Sequence, residues 1–162
     1  MNRKAAAYLL LALIGLAAVY LVVVSGRERA YRRHIDRGEQ ALARDDTFSA
    51  MEAFTAAIAV KGDSMVGFLK RGETYRRRDA LETAPAGGSG TDAPAGRPYL
   101  EAALRDLRRA SELDPMAPRP HELMGDVSYA LGRHARAAER YQRYVELDDG
   151  SPRILYKLAL SL

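Results

Sequence analysis

The stretches "ALRDLRRASELD" (103–114) and "AAERYQRYVELD" (137–148) are near copies, 34 residues apart. At that one offset Ala103, Leu107, Ala110, Leu113 and Asp114 fall on Ala137, Tyr141, Tyr144, Leu147 and Asp148. A chain that echoes itself at a fixed period of roughly 20–50 residues folds as stacked copies of one small unit, because a single unit cannot bury its own apolar face. The composition says what the unit is made of. Ala, Arg and Leu dominate, Val and Ile are few, and residues of the first group favour helix. The unit predicted is therefore a pair of helices.

Other segments keep the same step. "HIDRGEQAL" (34–42) and "FLKRGETYR" (68–76) place Gly38 and Gly72 34 residues apart, and "HELMGDVSYALG" (121–132) repeats the phrase around Gly125. Gly125 lies 53 residues after Gly72, so 19 residues are inserted inside the second unit. The stretch "ETAPAGGSGTDAPAGRP" (82–98) makes up most of the insertion. It is made largely of Gly, Pro, Ala, Ser and Thr, offers little to bury, and reads as a flexible loop between the two helices of one hairpin. Its glycines are not followed by Gly-Lys-Ser/Thr, so they do not read as a phosphate loop. The second helices align as "FSAMEAFTAAIAV" (48–60), "YLEAALRDLRRASEL" (99–113) and "HARAAERYQRYVEL" (134–147). They set Ala50, Ala103 and Ala137 in one column, Phe54, Leu107 and Tyr141 in the next, and Ala57, Ala110 and Tyr144 in a third. Small residues let helix axes approach and large ones fill the space between neighbours. "LDPMAPRP" (113–120) cannot continue a helix, and in "DDGSP" (148–152) Ser151 and Pro152 suit an N-cap and a first helical residue.

These columns resemble the tetratricopeptide repeat (TPR). Gly38, Ala50, Phe54 and Ala57 fit its pattern in the first unit. Gly72, Tyr75, Ala103, Leu107, Ala110 and Pro115 fit in the second, and Gly125, Gly132, Ala137 and Tyr141 in the third. The resemblance covers roughly 31–151. The departures are His34, Phe68 and His121 where the family often has Trp, Tyr144 for Ala, Gly62 and Asp149 for Pro, and the insertion. The resemblance implies an all-α, right-handed array of about three helix-turn-helix repeats plus a terminal helix.

Ahead of the array, "AAAYLLLALIGLAAVYLVVV" (5–24) runs 20 residues without a charge, the length a helix needs to cross the hydrocarbon core. Tyr8 and Tyr20 lie towards its ends, where amphipathic rings are favoured. A cleaved signal peptide is the rival. Its apolar region is usually about 7–15 residues with an Ala-x-Ala-like cleavage site, whereas "VVSGRER" offers no such site. The net charge of +4 clusters beside this segment: Arg3 and Lys4 contribute +2 and residues 27–37 a further +3, leaving −1 on 38–162. That placement favours membrane lipid over nucleic acid as the partner of the Arg cluster. The balance of Lys and Arg favours a single-pass protein with its bulk in the cytoplasm over a periplasmic or extracellular one, in a bacterial-like layout. The expected organisation is a transmembrane helix at 5–24, a basic juxtamembrane segment at 25–30, and repeats at 31–64, 65–117 (with the loop at about 82–98) and 118–151. Residues 152–162 form a terminal helix or the start of a fourth repeat.

Nothing reads as an active site. Without Cys there are no disulfides or thiolate metal sites. His34, His121 and His134 are the only histidines, and "HEL" at 121 lacks the second His of a zinc-binding helix. No Ser sits in a nucleophile elbow or a Ser-x-x-Lys motif. The expectation is no enzyme, no cofactor and no metal.

The first helices do offer a face. Residues spaced i, i+4, i+7 share one side of a helix, which groups Ile35, Glu39 and Leu42, then Leu69, Glu73 and Arg76, then Glu122, Asp126 and Tyr129. In TPR proteins the equivalent face lines a concave groove that holds peptide segments. Ile35, Glu39, Leu69, Glu73, Arg76, Glu122, Asp126 and Tyr129 are the candidate partner-binding residues. Stacking would align Glu39, Glu73 and Asp126 as an acidic row, suited to a basic peptide, with Arg76 available for one carboxylate. The family's known clamp for a C-terminal carboxylate uses Lys, Asn and Arg there, so acids disfavour that mode. In "SPRILYKLALSL" (151–162), Leu155, Leu158 and Ala159 fall at packing positions of a fourth unit, and the rest is apolar enough to suggest self-association. The function expected is a membrane-anchored scaffold or adaptor for protein partners. The rivals are the anchored N-terminal part of a larger enzyme or signalling protein, and a secreted soluble binder released by signal cleavage.

Overall fold

The computed structural model describes residues 3–83, 97–148 and 151–162. Within them the chain is all helix: α1 Arg3–Leu42, α2 Thr47–Val60, α3 Met65–Thr83, α4 Pro98–Leu113, α5 Pro118–Ala130, α6 His134–Leu147 and α7 Pro152–Ser161. α1 with α2, α3 with α4 and α5 with α6 form antiparallel hairpins, and each hairpin stacks on the next through α2–α3, α4–α5 and α6–α7. Most of the insertion anticipated at 82–98 lies outside the described residues. Glu82 and Thr83 close α3, and Pro98 opens α4.

The breaks have local causes. Asp46 caps α2, its carboxylate accepting from the Ser49 N–H at 3.0 Å, and hydrogen bonding from Ser49, side chain first and then backbone, holds its pKa below the usual carboxylate value. Asp45 before it sits in the left-handed region at φ 58°, which Asp tolerates better than most residues. Pro98, Pro118 and Pro152 each open a helix, where the missing N–H costs nothing. Asp114 accepts from the Met116 N–H at 3.2 Å in the turn between α4 and α5.

The three columns of the second helices form the core. Ala50, Phe54, Ala57, Ala103, Leu107, Ala110 and Ala137 are fully buried, and Tyr141 and Tyr144 nearly so. What the large residue of each second helix packs against is the glycine of its own first helix. A Cβ on Gly38 would lie 2.4 Å from the Phe54 ring, one on Gly125 2.4 Å from the Tyr141 ring, and one on Gly72 2.9 Å from Leu107 Cγ. The glycines therefore recur because a bulky side chain lies directly on the backbone of the first helix.

The first hairpin is continuous with the apolar segment. α1 runs unbroken through residues 25–30, and that stretch already packs. Arg27 donates to the Val60 carbonyl at 2.9 Å, Lys61 pairs with Glu28 at 3.2 Å, and the Tyr31 hydroxyl meets Ser64 at 2.6 Å. N-terminal to it, every large apolar side chain between Leu10 and Val24 is exposed. This is a helix long and apolar enough to cross a membrane.

α7 corrects one expectation. Ile154 is fully buried and Leu158 partly so, packing on Tyr141, Tyr144 and Val145, whereas Leu155 and Ala159 face solvent. The apolar face of α7 is rotated by one residue from the position assigned to it in the sequence.

Candidate functional site

The first helices line three adjoining cavities that share Arg76. One of about 430 Å³ lies among Leu42, Glu73, Arg76, Arg77 and Ala80. One of about 260 Å³ includes Arg76, Asp79, Arg97, Leu100, Asp126 and Ala130. The third, of about 280 Å³, is lined by Arg76, Asp126, Tyr129, Tyr141, Lys157 and Leu160. Together they trace a groove across α1, α3, α5 and α7.

Of the candidate residues, Glu73, Arg76, Asp126 and Tyr129 line these cavities, and Ile35, Glu39, Leu69 and Glu122 do not. Ile35 and Leu69 are half-buried and pack on the hydrophobic clusters, so they flank the core. Tyr129 remains exposed, its ring edge-on to His134 at 4.9 Å. Arg76 is half-buried with its Nε enclosed and without a hydrogen-bond partner.

The acids do not form a free negative row. Glu39 pairs with Lys70 at 2.8 Å, Glu73 with Arg119 at 2.8 Å, and Asp126 with Lys157 at 2.6 Å. Asp126 also accepts from the Tyr141 hydroxyl at 2.8 Å, and burial together with that bond pushes the Tyr141 pKa well above its ordinary value. Glu122, placed by the sequence on the open face, is only 3% exposed. Arg119 at 2.7 Å, Lys157 at 3.6 Å and Arg153 surround it. Each acid on one first helix therefore faces a cation on the next, and the row is a ladder of ion pairs stitching the hairpins together. Burial opposes the charge on Arg119, but its hydrogen bonds to Glu73 and Glu122 outweigh that and raise its pKa.

The cations of this ladder and Leu160 were not singled out in the sequence, and Tyr141 was placed there only in a core column. A signal for them existed: Asp126 to Lys157 and Glu122 to Arg153 are both 31 residues apart, as are Glu39 and Lys70. That distance is one repeat of 34 less three residues, close to one turn of helix. Glu73 breaks it: with the insertion the same register would fall on Leu123, and the partner is instead Arg119, about one helical turn earlier.

A second group closes the interrupted hairpin. Arg97, at the N-cap of α4, binds the nearly buried Asp79 of α3 and donates to the Ala130 carbonyl at 2.8 Å. Arg71 grips Asp106 through two hydrogen bonds of 2.7 and 2.8 Å, and that contact raises its pKa. Among the described residues no group of His, Asp and Glu is arranged to hold a metal ion.

Comparison with known proteins bears on the fold. No family model matches the chain. It is 26% identical over 124 residues to small glutamine-rich tetratricopeptide repeat-containing protein 2 of Mycosarcoma maydis, covering 76% of this chain and 30% of that protein's length. Among solved structures, the TPR domain of Arabidopsis OM64 superposes with a TM-score of 0.69 at 14% identity, covering 83% of this chain and 96% of that one. The second TPR domain of human RPAP3, in complex with an HSP70 peptide, superposes with a TM-score of 0.68 at 18% identity, covering 83% and 97%. These organisms lend no support to a bacterial-like layout. Three stacked hairpins, each crossing at a glycine covered by a large side chain of the second helix, and matched across nearly the whole of those domains, identify the fold of this chain as that of a tetratricopeptide repeat domain.

Proposed function

We propose that this protein is a membrane-anchored scaffold or adaptor that holds segments of partner proteins in the groove of its TPR-like array. The observation that carries the reading is the run of three adjoining cavities across the first helices, joined at Arg76. Repeat arrays work through extended surfaces of this kind. Peptide binding by similar folds adds support, since the human RPAP3 domain is in complex with an HSP70 peptide and a first TPR of Spaghetti (RPAP3) is bound to an HSP90 peptide. The groove residues proposed are Glu39, Glu73, Arg76, Asp126 and Tyr129, with Ile35, Leu69 and Glu122 supporting them from beneath.

The anchor belongs to the same proposal. The exposed apolar stretch of α1 supports a single-pass helix at 5–24, and the Arg cluster that follows supports contact with lipid headgroups and a cytoplasmic array. The outward face of α7, with Leu155 and Tyr156 exposed, is where self-association would occur.

The test is site-specific photo-crosslinking in native membranes. A photoreactive amino acid replacing Tyr129, in the groove, should capture a defined partner, and the same group replacing the exposed Phe48 on α2 should not. Equal capture from both positions, or none from Tyr129, would refute the groove.

A further inference from the structure

We infer that Arg76 anchors an internal Asp or Glu side chain of the partner segment, with a neighbouring apolar residue of that segment seated against Tyr129 and Leu160. The inference rests on the groove reading above and specifies its chemistry. The acids and most of the cations bordering the groove are already paired: Lys70 with Glu39, Arg119 with Glu73 and Glu122, Lys157 with Asp126 and Glu122, Arg97 with Asp79, and Arg77 with Asp45. Among the described residues Arg76 has no ion pair, its Nε is enclosed without a partner, and it borders all three cavities.

Guanidinium has five donors and does not lose its proton in proteins, so a half-buried, unpaired Arg holds an unmet demand for an acceptor. A carboxylate meets it with two parallel hydrogen bonds. A basic peptide would have to displace Lys70, Arg119 or Lys157 from acids they already hold, while meeting the positive charge of Arg76. One unpaired guanidinium suits one carboxylate. Recognition of a chain terminus by several converging cations would need the Lys and Arg side chains that the ladder occupies, so the partner needs no free C-terminus. Next to Arg76, Tyr129 and Leu160 are exposed and apolar along one wall, which favours an apolar residue beside the acid.

The experiment uses the full chain in detergent micelles on an array of seven-residue peptides, acetylated and amidated at their ends. The central residue is Glu, Gln or Lys, flanked by Ala, Leu, Phe or Tyr. Glu-centred peptides with an apolar flank should be retained at least tenfold more strongly than their Gln or Lys counterparts. Arg76→Gln should abolish that preference, and Arg76→Lys, which keeps the charge but not the paired donors, should reduce it. Arg136→Gln, at an exposed position on α6, should leave it intact. Equal retention of Glu and Gln peptides, or retention of none of these end-blocked peptides, would overturn the assignment. The crosslinking from Tyr129 judges the adaptor reading separately. A partner captured there with no dependence on Arg76 would leave the adaptor standing and remove this inference alone.

Discussion

The same substitution should have opposite signs at two glycines. Gly125→Ala drives a Cβ to 2.4 Å from the Tyr141 ring, which is held by its hydrogen bond to Asp126 and cannot move aside cheaply. Overpacking of this kind costs about 1–3 kcal/mol, and thermal melting followed by helical circular dichroism should show the loss. Gly26→Ala meets nothing within 4 Å, and replacing a mid-helix Gly by Ala favours the helix by about 0.5–1 kcal/mol, so its melting temperature should hold or rise. His121 predicts a pH dependence. It is 6% exposed and its Nδ1 has no hydrogen-bond partner. Burial first, then Arg140 and Arg143 of α6, outweigh the opposing Glu146 and lower its pKa from 6.5. The unfolded chain therefore binds this proton at higher pH than the folded one. The contribution is complete above pH 6.5 and is lost as pH falls from 6.5 towards the folded value. His121→Gln should flatten that part of the stability profile, measured as the denaturant midpoint against pH.

At the scale of elements, what joins α5 to α7 is the cluster on Glu122. Its carboxylate is nearly buried, whereas Arg153 and Arg119 have side chains 63% and 46% exposed. Removing the acid leaves cations that can turn to water, and exposed pairs contribute only about 0.2–1 kcal/mol. Removing the cations strands a buried carboxylate, and breaking a buried pair that way costs about 3–5 kcal/mol. The triple variant Arg119→Ala, Arg153→Ala, Lys157→Ala should therefore destabilise the array more than Glu122→Gln does, as judged by urea denaturation. The reverse order would mean that packing of Ile154 alone holds α7. The rotation of α7 belongs at this scale too. Its sequence is apolar on several sides, so periodicity did not choose among them, and contact with Tyr141 and Tyr144 selected Ile154 over Leu155.

In the whole molecule, α1 serves both as the apolar segment and as the first helix of the array, and Arg27, Glu28 and Tyr31 fasten the first hairpin to it directly below that segment. If 5–24 spans a bilayer, the protein should stay in the pellet after high-salt and carbonate washing. Leu13→Arg should then cost about 2.5–3.5 kcal/mol of insertion on translocon scales and shift protein into the supernatant. Much of this architecture was legible in the residues alone. A period of 34, recurring Gly and Ala columns and Pro-marked breaks are local, repeated signals, and a 20-residue uncharged run sets its own length scale. The groove was legible as a face and not as an electrostatic surface. Helical spacing puts Glu39, Glu73 and Asp126 on one side, but whether those charges stand free depends on which side chains the neighbouring hairpin brings within about 3 Å, and that is set by how the hairpins stack. Spacing likewise grouped Glu122 with exposed residues, and only the docking of α7 buried it beneath Arg153 and Lys157. The repeat and its hydrophobic columns are properties of single helices, written in the chain. The pairing that neutralises the acids and, among the described residues, leaves Arg76 without an ion pair is a property of helices brought together, and the tertiary structure alone decided it.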